Sequence, residues 1–132
     1  MRRTRFPWWL AVLLALAFAA CTDAPDTRYT QAVAAAEQQN VTLFRTFFTR
    51  QSAELLRGLE VAGKRSRLYY IKDPLKLLPK GDLDNVLVQD NFAVLTFKVR
   101  GAKQDVWMYL EDGQWKIDLT SLPEFWAALD NP

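Results

Sequence analysis

The pair Asp112-Gly113 stands between two runs that alternate apolar and polar residues, Val106 to Leu110 and Trp115 to Leu119. Gly lacks the Cβ that opposes left-handed backbone, and Asp tolerates that region, so the pair suits a two-residue hairpin turn. Such a turn fixes the register. Glu111 faces Gln114, Leu110 faces Trp115, Tyr109 faces Lys116, Met108 faces Ile117, Trp107 faces Asp118 and Val106 faces Leu119. Side chains alternate along a strand, so Val106, Met108, Leu110, Trp115, Ile117 and Leu119 share one face, the core face. The opposite face collects Trp107, Tyr109, Lys116 and Asp118, with Lys116 and Asp118 read as a surface ion pair.

The same logic extends upstream. Val86-Leu87-Val88 and the run Phe92 to Arg100 flank the turn pair Asp90-Asn91, and Gly101-Ala102-Lys103 connects to the next strand. Ala93, Leu95, Phe97 and Val99 alternate with the more polar set Val94, Thr96, Lys98 and Arg100. Before the strands, no Gly or Pro occurs from Asp26 to Arg57. Tyr29, Val33, Ala36, Leu43 and Phe47 fall at helical spacing, with Asn40 in the gap and Phe44, Phe48 and Leu55 widening the stripe. The pattern predicts one long helix from about 28 to 50, capped by Thr27 or Asp26. A second helical stretch runs to about 60, stopped by Gly58 and Gly63.

Gly63 to Arg67 reads as a basic loop and Leu68 to Ile71 as a short strand. Pro74 to Lys80 reads either as a helical turn or as cover for a sheet edge. Pro123 to Leu129 is a closing helix capped by Ser121, with Phe125, Trp126 and Leu129 packed on the sheet. The expected class is α+β: N-terminal helices on one face of a curved four- to five-stranded antiparallel sheet, then a short C-terminal helix.

The 132 residues include no His and one Cys, which excludes a Ser-His-Asp triad, a histidine metal site and an internal disulfide. Residues 1–20 carry Arg2, Arg3 and Arg5, then an uncharged apolar run from Trp8 to Ala20. That run makes about 20 Å of helix, too short for a bilayer span, and reads as a secretory signal. Leu16-Ala17-Phe18-Ala19-Ala20-Cys21 resembles a bacterial lipobox, which implies cleavage before Cys21 and lipidation of its thiol. Several acyl chains on one residue give stable anchoring. Thr22 after the Cys, by resemblance to enterobacterial sorting, implies an outer-membrane rather than inner-membrane lipoprotein facing the periplasm. Residues 21–28 then form a lipidated Cys and short tether of roughly 23 Å at most, and 29–132 a single domain.

Without residues 1–20 the chain holds 14 basic and 15 acidic side chains, so a nucleic-acid partner has no electrostatic basis. Residues 45–80 carry a net charge of +6 and residues 81–132 carry −5. This split is read as solvated faces and pairing between the halves, or as a basic surface turned toward anionic headgroups.

Asp84-Asn85-Val86 to Val99, followed by Val106 to Leu119 with its Glu111-Asp112-Gly113-Gln114-Trp115-Lys116-Ile117-Asp118 ending, resembles the end of nuclear-transport-factor-2-like domains, found in many small bacterial lipoproteins. The resemblance implies a helix-backed curved sheet, often a homodimer through the open sheet face, and sometimes a pocket for an apolar small molecule. Its enzymes, steroid isomerases and small dehydratases, use Asp, His or Tyr within that pocket. Here the acids and phenols on offer are Tyr69, Tyr70, Tyr109, Asp105 and Asp118, none of them in a setting that would tune a general base. The expected function is therefore non-catalytic, without cofactor or metal: a protein-interaction module with Trp107, Tyr109, Lys116 and Asp118 on its docking face. The alternative is a carrier or sensor of a small apolar ligand, in a pocket lined by Phe44, Phe48, Leu95, Phe97 and Met108; a small isomerase- or dehydratase-like enzyme is the third reading.

The lipobox reading makes a direct prediction. Cys21→Ser abolishes metabolic labelling with palmitate and leaves a longer, unprocessed chain; unchanged size and membrane retention would contradict it.

Overall fold

Four places where the chain adopts left-handed backbone set the order of elements. In the computed structural model, residues 22–61 and 76–130 are described, with side chains outside 59–61 and 128–130. The signal at 1–20, Cys21, the basic loop at 63–67 and the strand expected over Leu68–Ile71 lie outside the described residues. The elements are α1 (Pro25–Glu37), α2 (Val41–Arg45), α3 (Arg50–Val61), β1 (Asp82–Gln89), β2 (Phe92–Val99), β3 (Ala102–Glu111), β4 (Gln114–Ile117), a 3₁₀ turn (Leu119–Ser121) and α4 (Pro123–Asp130). The fold is α+β, and the four antiparallel strands lie side by side in chain order in an open sheet.

The hairpin turns follow the sequence closely. Asp112 and Gly113 have φ of 51° and 74°, and Arg100 and Gly101 have 50° and 79°. Both pairs keep two left-handed residues in a row, which matches the twist of the flanking strands. The second connection is therefore only Arg100-Gly101, and Ala102 and Lys103 already belong to β3 rather than to the expected longer loop. Strand β1 is longer than the expected Val86–Val88 and carries a bulge between Leu83 and Asn85. Gly81 precedes it, where a Cβ would fall 1.9 Å from the Lys98 carbonyl oxygen, so only Gly lets the two backbones meet.

The long helix expected over 28–50 is three pieces. Helix α1 starts at Pro25, whose fixed φ suits the first helical position, and its N-cap is Ala24 rather than Asp26 or Thr27. It stops at Glu37 because Gln39 turns left-handed at φ 55°. The Asn40 N–H then donates to the Ala35 carbonyl and the Gln39 N–H to the Ala36 carbonyl, the Schellman pattern that satisfies orphan carbonyls. The Asn40 side chain accepts from the Leu43 N–H and starts α2. This break resets the helical phase: Phe44 is buried, while Leu43, counted in the continuous stripe, is exposed.

After α2 the chain leaves the helix to pair with the sheet. The Ile117 N–H donates to the Phe47 carbonyl at 2.7 Å, and the Thr49 N–H donates to the Ile117 carbonyl at 3.0 Å. Phe48 thus forms a parallel bridge with Ile117 along the outer edge of β4. The Arg28 Nε adds a bond to the Trp115 carbonyl, and its guanidinium lies 4.4 Å from the Phe47 ring centre.

The core lies between the helices and one sheet face. It gathers Tyr29, Ala32, Phe44, Phe47, Phe48 and Leu56 with Leu95, Phe97, Val106, Met108 and Ile117, and Leu77 and Leu78 pack into it. Tyr29 lies against Phe97 with ring centres 4.7 Å apart, and Phe44 meets Phe48 edge-on at 5.0 Å. Strand β4 ends at Ile117 instead of reaching Leu119. Leu119 enters the core from a 3₁₀ turn instead of a strand. Ser121 does not cap α4; its hydroxyl oxygen accepts from the Trp107 N–H and its hydroxyl donates to the Asp118 carbonyl. Phe125 packs into the core, whereas Trp126 stays half exposed and donates its indole N–H to the Thr120 carbonyl.

One buried hydroxyl joins these parts. The Ser52 Oγ accepts from the Leu119 N–H at 3.0 Å and from the Thr49 hydroxyl at 2.7 Å. Ser52→Ala leaves a buried N–H without an acceptor, so it should lower unfolding free energy in urea by about 1–3 kcal/mol. The exposed neighbour Gln51→Ala should change it by less than about 0.5 kcal/mol. Equal effects would contradict this role.

Candidate functional site

The sheet face away from the helices carries the candidate site. Register places its side chains in rows across the strands. Leu87 of β1 faces Val94 of β2, which faces Trp107 of β3. One step along, Gln89 faces Phe92, Phe92 faces Tyr109, and Tyr109 faces Lys116 of β4. Phe92 sits between the two aromatic residues of β3. Its ring centre is 5.6 Å from Trp107, nearly perpendicular, and 5.2 Å from Tyr109. Edge-on and tilted contacts of this kind are the arrangements that the ring quadrupoles favour.

These side chains are not covered by the rest of the described chain. Leu87 is 56 % exposed, Trp107 44 % and Tyr109 36 %. The apolar rows have a polar border. On one side the Thr96 hydroxyl donates to Asp105 at 2.7 Å, and Asp84 lies 3.3 Å from the Lys98 ammonium and 3.7 Å from that of Lys103. On the other, the Glu111 carboxylate accepts from the Arg50 N–H at 3.0 Å, capping the start of α3. The face thus carries an aromatic cluster with a charged rim.

The structure brings Trp107 and Tyr109 together, as expected, but gives Lys116 and Asp118 other work. The Lys116 ammonium donates to the Thr46 carbonyl at 2.5 Å, tying β4 to the end of α2. Burial there, then the nearby Arg28 guanidinium, push Lys116 below the usual lysine range; Glu111 and Asp112 pull the other way. Asp118 does not reach Lys116. Its carboxylate accepts from the Thr120 N–H at 2.9 Å and the Thr120 hydroxyl at 2.6 Å, capping the 3₁₀ turn. The expected surface ion pair is thus replaced by two internal contacts. Each bonds backbone, which a count of side-chain charges does not register.

The residues expected to line an apolar pocket, Phe44, Phe48, Leu95, Phe97 and Met108, all lie in the buried core. Of the five, Phe97 also borders a cleft of about 330 Å³, lined by Tyr29, Val33, Leu78 and Pro79 together with the charged Glu37 and Lys80. The Tyr29 hydroxyl donates to the Pro79 carbonyl in that cleft, and burial holds its phenol well above the usual tyrosine range. Among the acids weighed for catalysis, Asp105 is exposed and Asp118 is spent as a cap. Among the described residues no three Asp, Glu, His or Cys side chains come together, and no helix is long and apolar enough to cross a membrane.

Sequence reading missed Phe92, Val94 and Leu87 as members of the outer-face cluster. The signal was present: the two-residue turns at 90–91 and 100–101 carry the register from β3 back to β1. No family model matches the chain, and neither a curated protein nor a solved structure matches it.

The reassignment of Asp118 is testable. Asp118→Ala removes the cap and should lower the unfolding free energy by about 0.5–2 kcal/mol in urea, while Asp105→Ala, on the exposed rim, should be close to neutral. A neutral Asp118→Ala would contradict the capping role.

Proposed function

We propose that this chain is a lipid-anchored envelope protein that works without catalysis, docking a partner protein on its open sheet face. The observation that carries the proposal is the pair of cross-strand rows Leu87–Val94–Trp107 and Phe92–Tyr109, in which Leu87, Trp107 and Tyr109 are exposed and Val94 and Phe92 half-buried between them. Exposed Trp and Tyr held rigidly are the residue types that dominate binding energy at protein interfaces. Aromatic side chains lose little conformational entropy on docking, and here Trp107 and Tyr109 both pack against Phe92.

The anchor fits this reading. With Cys21 lipidated and cleaved from residues 1–20, only Thr22 to Ala24 separate the lipid from α1, a reach of roughly 10 Å. The domain then stays beside the periplasmic surface of the membrane, the outer membrane by the Thr22 sorting rule. It meets partners there at high local concentration. The resemblance to nuclear-transport-factor-2-like domains belongs to the same proposal, since that superfamily includes non-catalytic modules as well as enzymes.

A second reading, transport or sensing of a small apolar ligand, rests on the cleft beside Tyr29 and Phe97. Its volume lies at the low end of small-molecule sites.

One experiment separates the two. A photo-crosslinking residue at Val94 should trap a discrete partner in the envelope of the source bacterium. Trp107→Ser with Tyr109→Ser should remove that adduct, or weaken binding at least roughly 30-fold, with the circular dichroism spectrum unchanged. Unaltered capture, or unfolding of the double variant, would overturn the docking proposal. A reproducible small-molecule adduct in native mass spectrometry of the same chain, lost on Val33→Trp, would favour the ligand reading instead.

A further inference from the structure

The two edges of the sheet are unlike, and the difference follows from counting main-chain groups. In β4, Trp115 and Ile117 present their N–H and C=O outward, and the chain supplies bonds there from Phe47, Thr49 and Arg28. At the opposite edge, the phase of β1 is fixed by two observations. Gln89 and Phe92 flank a two-residue turn, which makes them a hydrogen-bonded pair. The Leu110 N–H donates to the Asn91 carbonyl, which assigns the odd residues of β2 to β3 and the even ones to β1. Asn85, Leu87 and Gln89 therefore bond inward to β2. Val86 and Val88 turn their N–H and C=O outward, and among the described residues nothing covers them.

This edge, open among the described residues, has a self-complementary sequence. Asn85-Val86-Leu87-Val88-Gln89 reads as amide, valine, leucine, valine, amide in either direction. It contains no charge and no Pro, the usual guards of an edge strand. Its side chains are exposed on both faces: Leu87 on the outer face, and Val88, 51 % exposed, on the inner one.

We infer that β1 pairs antiparallel with β1 of a second copy, about a two-fold axis through Leu87, joining two four-stranded sheets into one of eight strands. In that register Val86 stands opposite Val88 of the second copy, and the reverse. The outward groups of both valines then meet as two hydrogen-bonded pairs. Leu87 meets its own copy in the wide pair between them, and Asn85 meets Gln89 on the same face. Sliding the register by two residues in either direction sets a valine against Asp84 or Asp90, so the centred register is preferred. Beyond the uncharged stretch, Asp90 of the copy comes beside Asp84, where the ammonium groups of Lys98 and Lys103 supply two positive charges for two carboxylates.

The pairing closes on itself. Both copies use the same strand, and the far edge of each sheet is sealed by Phe47 to Thr49, so the product is a dimer and not a fibre. It also makes one continuous apolar row on the outer face: Trp107, Val94, Leu87, then the same three in reverse order. This is an edge-to-edge dimer, distinct from docking on the sheet face, and stands without it.

Cysteine scanning on full-length chain carrying Cys21→Ser tests the register. Leu87→Cys should form a disulfide-linked dimer rapidly under mild oxidation, because wide antiparallel pairs hold Cα atoms at about 4.5 Å, within disulfide range. Asn85→Cys alone and Gln89→Cys alone should crosslink at least about tenfold more slowly, while an equal mixture of the two should give the mixed dimer, by the same geometry. Val88→Pro, which removes an outward N–H at an edge position that tolerates Pro, should leave a monomer by sedimentation with native circular dichroism. Equal crosslinking at positions 85, 87 and 89, or a sedimentation mass for the parent chain that is monomeric at high micromolar concentration, would overturn the inference. Loss of the dimer with retained Val94 crosslinking to a partner would show the two surfaces to be independent.

Discussion

The pair of main-chain bonds between Ile117 and the segment Phe47–Thr49 organises the rest of the domain. Those bonds pull the chain out of helix at the moment an uninterrupted helical stripe would have carried it past the sheet. They set Phe44, Phe47 and Phe48 over the core face, and they place Thr49 and Ser52 where the buried Leu119 N–H needs an acceptor. Sealing β4 also removes one of two edges at which a sheet this small would otherwise recruit strands. Helix packing, the end of β4 and the closing 3₁₀ turn thus depend on one short contact between elements some 70 residues apart.

Once that edge is closed, what remains open acquires meaning. The outer sheet face keeps an aromatic cluster packed around Phe92 and left partly exposed by the described chain. Burying such side chains against solvent-facing neighbours would be easy for a sheet that needed only to be soluble; a Thr or Lys at these positions would serve. Three large rings and two aliphatic residues in adjacent rows are the observation on which the proposed docking face rests. The carboxylates nearby are committed to a turn cap, to the Thr96 hydroxyl and to ammonium groups.

Much of the strand half was legible in the sequence because two-residue turns translate directly into register. Asp112-Gly113 alone aligned β3 with β4 from Met108–Ile117 to the turn. The helical half was less legible. Gln39 takes the left-handed position that Gly or Asn usually marks, at an intrinsic cost of roughly 1–2 kcal/mol, offset by the Schellman bonds and by the packing that follows. Nothing in the apolar spacing around it announces a break. Lys116 and Asp118 were misassigned for a related reason: their partners are a carbonyl at Thr46 and a turn amide at Thr120, neither visible as a charge pattern. The further members of the outer face, exposed Leu87 and half-buried Phe92 and Val94, were recoverable only by carrying the register through two further turns.

The most direct test of this description compares the two edges in one experiment. Amide hydrogen exchange would follow Thr49 and Ile117 at one edge and Val86 and Val88 at the other, as the full chain is diluted from high micromolar to nanomolar concentration. The expected result is protection of Thr49 and Ile117 that does not depend on concentration, with protection of Val86 and Val88 falling on dilution while Leu87, bonded inward, keeps its own. If all these amides respond alike, or if Thr49 and Ile117 exchange as quickly as the exposed residues of α3, the division into one sealed and one open edge is wrong.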